Sequence, residues 1–439
     1  MKKKYRIILY TSIFLLCVVA SIILVVKKSN SVYEEESKPK VVKHKSMLSM
    51  NLEQTAGSGD YKTVTQSSWP TEGYKFNAEL SKCENGSTLS WDDTKKAVIM
   101  QGNVSDKCYV YFDIWIPSIA DYCTSGTDLA TCVKNFGDQG PSVSNIYIHN
   151  SSLTNGAGDN SYRYAGANPN NFVCFGSDAS PCPIDNLYRI IGVFGENYHG
   201  ANGKQLVKLI KYDYMTTDEL GTDGDYSQTY KEWGMDSTYK GTYGDGERIG
   251  VYYWNYKATG SATNTWSTSL LNKTNLNTNF INNIGTTWAN KIATVTWKVG
   301  GNTWANIGTK TSSVAYTNEI TNPVTTNTTD NATTYSAKIG LMYVSDYGFA
   351  ASPDAWTLTM SSYNNTTATN NNWMYMGLYE WTISRYAGNS GSAFYVYLGG
   401  HVRNNYVNGY NGVRASFNLE SSVSYVSGSG SMSDPIVIN

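Results

Sequence analysis

KIGLMYVSDYGFA (338–350), NWMYMGLYEWTISR (372–385), SAFYVYLGGHV (392–402) and NGVRASFNL (411–419) follow one another near the end of the chain. Each is short, apolar or aromatic, and bounded by Gly, Asn, Ser or Pro, the pattern of buried strands joined by exposed loops. They predict a small twisted sheet that carries a ligand-facing surface. Within AFYVYL, alternation turns Phe394, Val396 and Leu398 one way and Tyr395 and Tyr397 the other. Trp381, Arg385 and Arg414 read as structural, because an Arg amid aromatic residues is usually paired or stacked.

Between the third and fourth segments lies HVRNNYVNGYN (401–411), with one His, one Arg, two Tyr and four Asn in eleven positions. Gly409 marks a turn, and side chains so polar are not buried together unless paired. Tyr supplies contact area at low entropic cost and Asn supplies adaptable hydrogen bonds. His401, Arg403, Asn404, Tyr406 and Tyr410, with Tyr395 and Tyr397 beside them, are therefore the candidate ligand-binding residues; an ordinary solvated hairpin loop is the competing reading.

The chain has 439 residues, 34 Lys+Arg against 35 Asp+Glu, and only 16% charged residues, while Tyr reaches 35. Such a balance gives no electrostatic reason to expect nucleic acid as a partner. The length fits one membrane segment plus two domains, at roughly 150 residues per domain. A surface of hydroxyls, amides and aromatic faces suits recognition more than salt-bridged catalysis, although skewed codon composition produces the same bias.

IILYTSIFLLCVVASIILVV (7–26) is an uncharged 20-residue run, the length an α-helix needs to cross a bilayer. Lys2, Lys3, Lys4 and Arg6 precede it and Lys27 and Lys28 follow, which favours a cytoplasmic N-terminus and an uncleaved signal anchor over residues 1–28. A cleaved signal peptide is the rival, but the run exceeds a signal core and no small-x-small site ends it. Leu16 ahead of Cys17 argues against a lipoprotein. With six residues before the run, no cytoplasmic domain is expected, and the bulk of the chain is placed outside the cell. Residues 29–70, with EEE at 34–36, read as a solvated stalk.

Six further cysteines fall into local pairs, Cys83 with Cys108, Cys123 with Cys132 and Cys174 with Cys182; adjacency is the preferred one of 15 connectivities. No Cys-x-x-Cys occurs and the four histidines are scattered, so neither metal nor cofactor is expected. YKFNAEL, TLSW, AVIM and CYVYFDIWI make a small β-module over residues 71–118, clasped by Cys83 and Cys108. Residues 119–439 form the second domain. In it, Thr127 or Asp128 caps a short helix, LATCVKNF, whose Leu129, Cys132, Val133 and Phe136 share one face before Gly137 ends it. LYRIIGVFG and KQLVKLIKY form a hairpin over 188–211. Phe280, Ile284, Trp288 and Ile292, four apart, mark a buried helical face with Gly285 as its weak point. The Thr- and Asn-rich stretches 321–334 and 364–372 lie outside the core.

No G-x-S-x-G elbow, Walker loop, H-E-x-x-H or Rossmann glycine fingerprint appears. A glycosidase needs only two well-placed carboxylates, for which Asp346, Asp354 and Glu380 are available. A carboxylate capping a turn or paired with Arg385 is the plainer reading. DELGTDGDY (218–226) lacks the spacing of an EF-hand.

The order LMYVSDYGFA, EWTISR, AFYV and GVRASF resembles a family of bacterial surface proteins with a C-type-lectin-like domain related to formylglycine-generating enzymes, found in exported proteins of low-GC Gram-positive gut bacteria. The resemblance covers roughly residues 160–439, with YRIIGVF and VKLI similar to the family's opening hairpin and Gly412, Val413, Arg414 to its closing strand. It implies an α+β fold: a transmembrane helix, a disulfide-clasped β-module, and a lectin-like domain with long loops. In related display scaffolds the diversified positions lie where 401–411 stands here. No cysteine follows Cys182, so the cysteine pair of the oxidase branch is absent; Glu-Pro-Asn, Gln-Pro-Asp and Trp-Asn-Asp, which mark the calcium-dependent sugar binders, are absent too. The expectation is a non-enzymatic, membrane-anchored extracellular binding or adhesion protein whose partner is a glycan or a protein. The alternatives are a cell-envelope glycan-acting enzyme and a purely structural surface protein.

Overall fold

The computed structural model describes residues 48–65, 68–70, 72–103, 105–195, 199–230, 239–243, 248–323 and 332–439. The apolar run 7–26 lies outside them, and among the described residues no helix is long and apolar enough to cross a membrane. The chain divides into two compact units at Ile116/Pro117, and both helices and strands build it.

The first unit is a four-stranded sheet in which β1 (Leu48–Glu53) lies between β2 (Tyr61–Val64) and β6 (Cys108–Ile114), with β3 (Tyr74–Cys83) beyond β6. A hairpin of β4 (Thr88–Asp92) and β5 (Ala97–Gln101) completes it. Leu48–Glu53 and Tyr61–Val64 are thus strands, a correction to the stalk expected over 29–70. Their apolar positions are too sparse to stand out in sequence, yet Met50 and Leu52 alternate onto the core face beside Val110 and Phe112. Glu53 closes the sheet by accepting hydrogen bonds from the Ile114 amide at 2.9 Å and the Gly59 amide at 3.2 Å. Cys83 and Cys108 sit directly opposite each other on β3 and β6 and are bonded. The second unit carries the bonds Cys123–Cys132 and Cys174–Cys182.

The second unit opens on helix α1 (Leu129–Gly137), capped by the Asp128 carboxylate, which accepts the Thr131 amide at 2.8 Å. Leu129, Cys132, Val133 and Phe136 are its buried face. Two seven-stranded sheets follow. The first runs β17 (Ile339–Gly340), β22 (Ser416–Asn418), β11 (Leu206–Lys211), β10 (Leu187–Phe194), β8 (Tyr162–Tyr164), β7 (Ile146–Ile148), with β9 (Phe172–Cys174) also on β10. The second runs β12 (Tyr226–Thr229), β13 (Gly250–Tyr253), β21 (Tyr410–Gly412), β18 (Glu380–Tyr386), β19 (Ser392–Val396), β20 (Val402–Tyr406), with β15 (Gly301–Asn302) on β18. A separate ribbon pairs β14 (Val295–Lys298) with β16 (Thr334–Ala337).

Every residue of β10 and β11 is buried, so both faces of this hairpin are covered. At Gly192 a Cβ would fall 2.2 Å from the Tyr162 carbonyl, so only glycine lets β8 approach β10 there. Residues 271–289 are helical and interrupted at Gly285, whose φ of +76° is left-handed. Phe280, Trp288 and Ile292 are buried as the four-residue spacing requires, and Ile284 is partly buried.

Candidate functional site

The segment read as a strand over 338–350 is a two-residue strand followed by helix α2 (Val344–Phe349). Its apolar composition serves a helix buried on all sides, and Asp346 fixes the start by accepting the Tyr343 amide at 3.0 Å. Similarly, 401–411 is not a loop. Val402–Tyr406 is an edge strand against β19, and Tyr410–Gly412 is an interior strand. Of the Asn residues that suggested solvation, Asn404, Asn405 and Asn411 sit in strands and Asn408 in the turn between them.

This register sorts the candidate residues by face. Trp381, Tyr395 and Arg403 stand in one cross-strand row. Tyr397 and His401 flank the turn of the hairpin, their rings stacked at 4.6 Å and 24°. The Arg403 guanidinium lies 4.6 Å above the same Tyr397 ring, and Tyr379 meets Tyr397 edge-on at 5.1 Å and Tyr395 at 6.1 Å. Tyr379, Tyr395, Tyr397, His401 and Arg403 thereby form one patch. Tyr395 is nearly covered, Tyr379, Tyr397 and His401 are half-buried, and Arg403 is exposed. Asn404 and Tyr406 alternate to the other face, opposite Phe394 and Ser392, where Tyr406 is 63% exposed. Tyr410 packs edge-on against Tyr253 on β13. Four of the seven candidates therefore come together, and Tyr379 is the member that sequence reading missed.

The hairpin turn is held from beneath. The Tyr347 hydroxyl donates to the Gly400 carbonyl at 2.6 Å, and the Tyr375 hydroxyl donates to the Leu398 carbonyl. Gly400 has φ of +91°, and a Cβ on it would meet Ala368 Cβ at 2.3 Å. Burial, then the nearby Arg403 charge, lowers the His401 pKa and keeps the imidazole neutral. Its Nε2 is buried without a hydrogen-bond partner. The patch thus offers flat rings and one exposed cation on a fixed frame.

The expected structural residues are all buried. Trp381 Nε1 donates to the Tyr252 carbonyl at 2.8 Å. Arg385 donates to the Ala332 carbonyl at 2.7 Å. Arg414 binds Glu380 and donates to the Met374 carbonyl at 2.6 Å.

A second constellation, buried in the same unit, escaped the sequence reading. Arg163 of β8 donates to Asp159 Oδ2 at 2.8 Å and to Ser161 Oγ at 2.8 Å. Lys208 of β11 meets Asp346 of α2, Nζ to Oδ2, at 2.5 Å. Arg163 Nη1 stands 3.6 Å from Asp346 Oδ1, and His199 Nε2 3.3 Å from Asp159 Oδ2. Glu319 accepts the Val344 amide at 3.1 Å, the Ser345 amide at 2.8 Å and the Ser384 hydroxyl. Aromatic rings wall the group: Tyr343, Trp297 and Phe194 around Lys208, and Phe194, Phe349 and Tyr316 around Arg163.

Burial alone would raise both aspartates, but Arg163 holds Asp159 well below the usual range, and Lys208, with His199 and Arg163, lowers Asp346. Burial lowers Lys208 against the pull of Asp346. It lowers His199 to about 4 and raises Glu319 to about 7. The signal in sequence was an ionisable residue inside an apolar strand, in YRY and LVKLI. In a strand covered on both faces, as β11 is, the charge lies in the core, where it must be paired.

Asp346 and Glu380, the carboxylates of the glycosidase alternative, are both buried and each tied to a cation. Asp225, in the acidic loop, accepts the Leu271 amide at 2.8 Å and the Tyr256 amide at 3.0 Å. Among the described residues, no group of three or more His, Cys, Asp or Glu side chains is placed to hold a metal. No family model, curated protein or solved structure matches the chain.

Proposed function

We propose that the chain is a membrane-anchored extracellular binding or adhesion protein whose second unit, of lectin-like type, presents a recognition surface on the β19–β20 hairpin. The observation that carries this reading is the stack of His401, Tyr397 and Arg403 on a turn pinned by Tyr347 and Tyr375. Preorganised aromatic faces beside a cation lose little freedom on binding, and they suit the ring faces of a glycan or the side chains of a protein. The uncharged run 7–26 between basic flanks supports the anchor. Three formed disulfides support an oxidising compartment.

Glycan and protein arrays probed with the full chain should reveal at least one saturable ligand. A variant carrying Tyr397→Ala and Arg403→Ala should lose it at least tenfold while keeping its thermal transition. Silence across broad arrays, or unchanged affinity in the variant, counts against the reading. Replacing Asn404 and Tyr406 reports on the opposite face and should leave binding at this patch intact.

A further inference from the structure

Lys208 and Asp346 are 138 positions apart, and their side chains meet at 2.5 Å with both groups closed off from solvent. The contacting Oδ2 is bonded to the carboxyl carbon, so the nitrogen already lies beside the one electrophilic atom it can reach. Asp346 Oδ1 makes no hydrogen bond, and Arg163 Nη1, also without one, faces it at 3.6 Å. The amine, the carboxyl carbon and a cation aimed at the other oxygen are thus assembled in a water-poor, aromatic-walled site. From this geometry we propose that Lys208 and Asp346 condense spontaneously into an isopeptide bond that ties β11 to helix α2.

The step balances without any co-reactant. A proton passes from the Lys208 ammonium to Oδ2, and the freed Nζ lone pair attacks Cγ. Negative charge gathers on Oδ1, where Arg163 stabilises it as an oxyanion partner would. The Cγ–Oδ2 bond then breaks, and a second proton from Nζ leaves with Oδ2 as water. One ammonium and one carboxylate become one neutral amide.

Three features favour the forward direction. Burial lowers the Lys208 pKa and so favours the neutral amine that attacks. Glu319, protonated in part at neutral pH, is electrostatically coupled to both reacting groups and is bound to the amides of Val344 and Ser345, the two residues before Asp346. Its field thus bears on the proton balance of the pair. Finally, a neutral amide escapes the desolvation penalty of a buried ion pair, and fixed proximity replaces a bimolecular encounter.

The test is the mass of the purified, fully reduced and denatured full chain, followed by peptide mapping. The expected result is a mass one water below that of the reduced sequence, together with a branched peptide joining the segments of Lys208 and Asp346 in fragment spectra. The branched peptide matters because a succinimide at Asp346 would also lose one water. Lys208→Met should restore the full mass, and Glu319→Gln should lower the linked fraction several-fold. Wild-type chain of full mass whose Lys208 and Asp346 peptides separate on digestion overturns the proposal, whether or not the variants fold.

Discussion

Arg414 Nε donates to Glu380 Oε1 at 2.8 Å with both side chains sealed inside the second unit. Burial raises the Glu380 pKa and Arg414 opposes it. Removing one partner strands a charge in a medium that cannot solvate it. Arg414→Met and Glu380→Leu should each cost about 3–5 kcal/mol in urea unfolding, and the double replacement should cost clearly less than the sum. Additive losses would mean the two residues do not act as a pair.

Gly400 should not tolerate a side chain. Its positive φ alone costs a larger residue about 1–3 kcal/mol, and Ala368 blocks the space a Cβ needs. Gly400→Ala should lower the melting temperature of the second unit and weaken ligand binding together. Ala368→Gly on that background should recover part of the loss, because it clears the clash but not the backbone strain.

The bond between Cys83 and Cys108 closes a separation of 25 residues in the first unit. Replacing both cysteines by Ser should destabilise that unit by about 3 kcal/mol. Amide exchange should speed up across β1, β3 and β6. Exchange unchanged in those strands would show that the four-stranded sheet holds without its clasp.

Glu319 gives the second unit a pH signature. Its folded-state pKa, about 7, lies above the ordinary glutamate value of 4.5, so between those values the folded chain binds the extra proton. The stabilisation is complete below the unfolded value and is lost as pH rises through about 7. His199, lowered to about 4, acts in the opposite sense: the unfolded imidazole takes up a proton first, so stability falls as pH drops below 6.5. The profiles of wild type and Glu319→Gln should therefore diverge between pH 4.5 and 7, with wild type losing relative stability toward the alkaline end. Parallel profiles would show that Glu319 stays ionised in the fold.

Helix α1 and the β10–β11 hairpin were legible because each follows one local rule, an Asp cap before a four-residue period and two apolar runs around a polar loop. Helix α2 was not, since a segment buried on every side shows no polar face and its period disappears. The first two strands were hidden by composition, as Met50, Leu52 and Val64 are too few to mark their inner face. At the recognition patch, chain proximity grouped the right neighbourhood but could not say which side of the strand each residue takes. A shift of one position decides that, and pairing across β19 fixes it. The contact of Lys208 with Asp346 joins segments so far apart that only the folded sheet brings them together.

The short run from Tyr410 to Asn418 supplies an interior strand to each of the two large sheets, β21 between β13 and β18 and β22 between β17 and β11. Without them the first sheet lacks the strand that joins β17 to β11, and the second lacks the strand between β13 and β18. A chain lacking Tyr410–Asn418 can complete neither sheet, so one nine-residue run couples the closure of both.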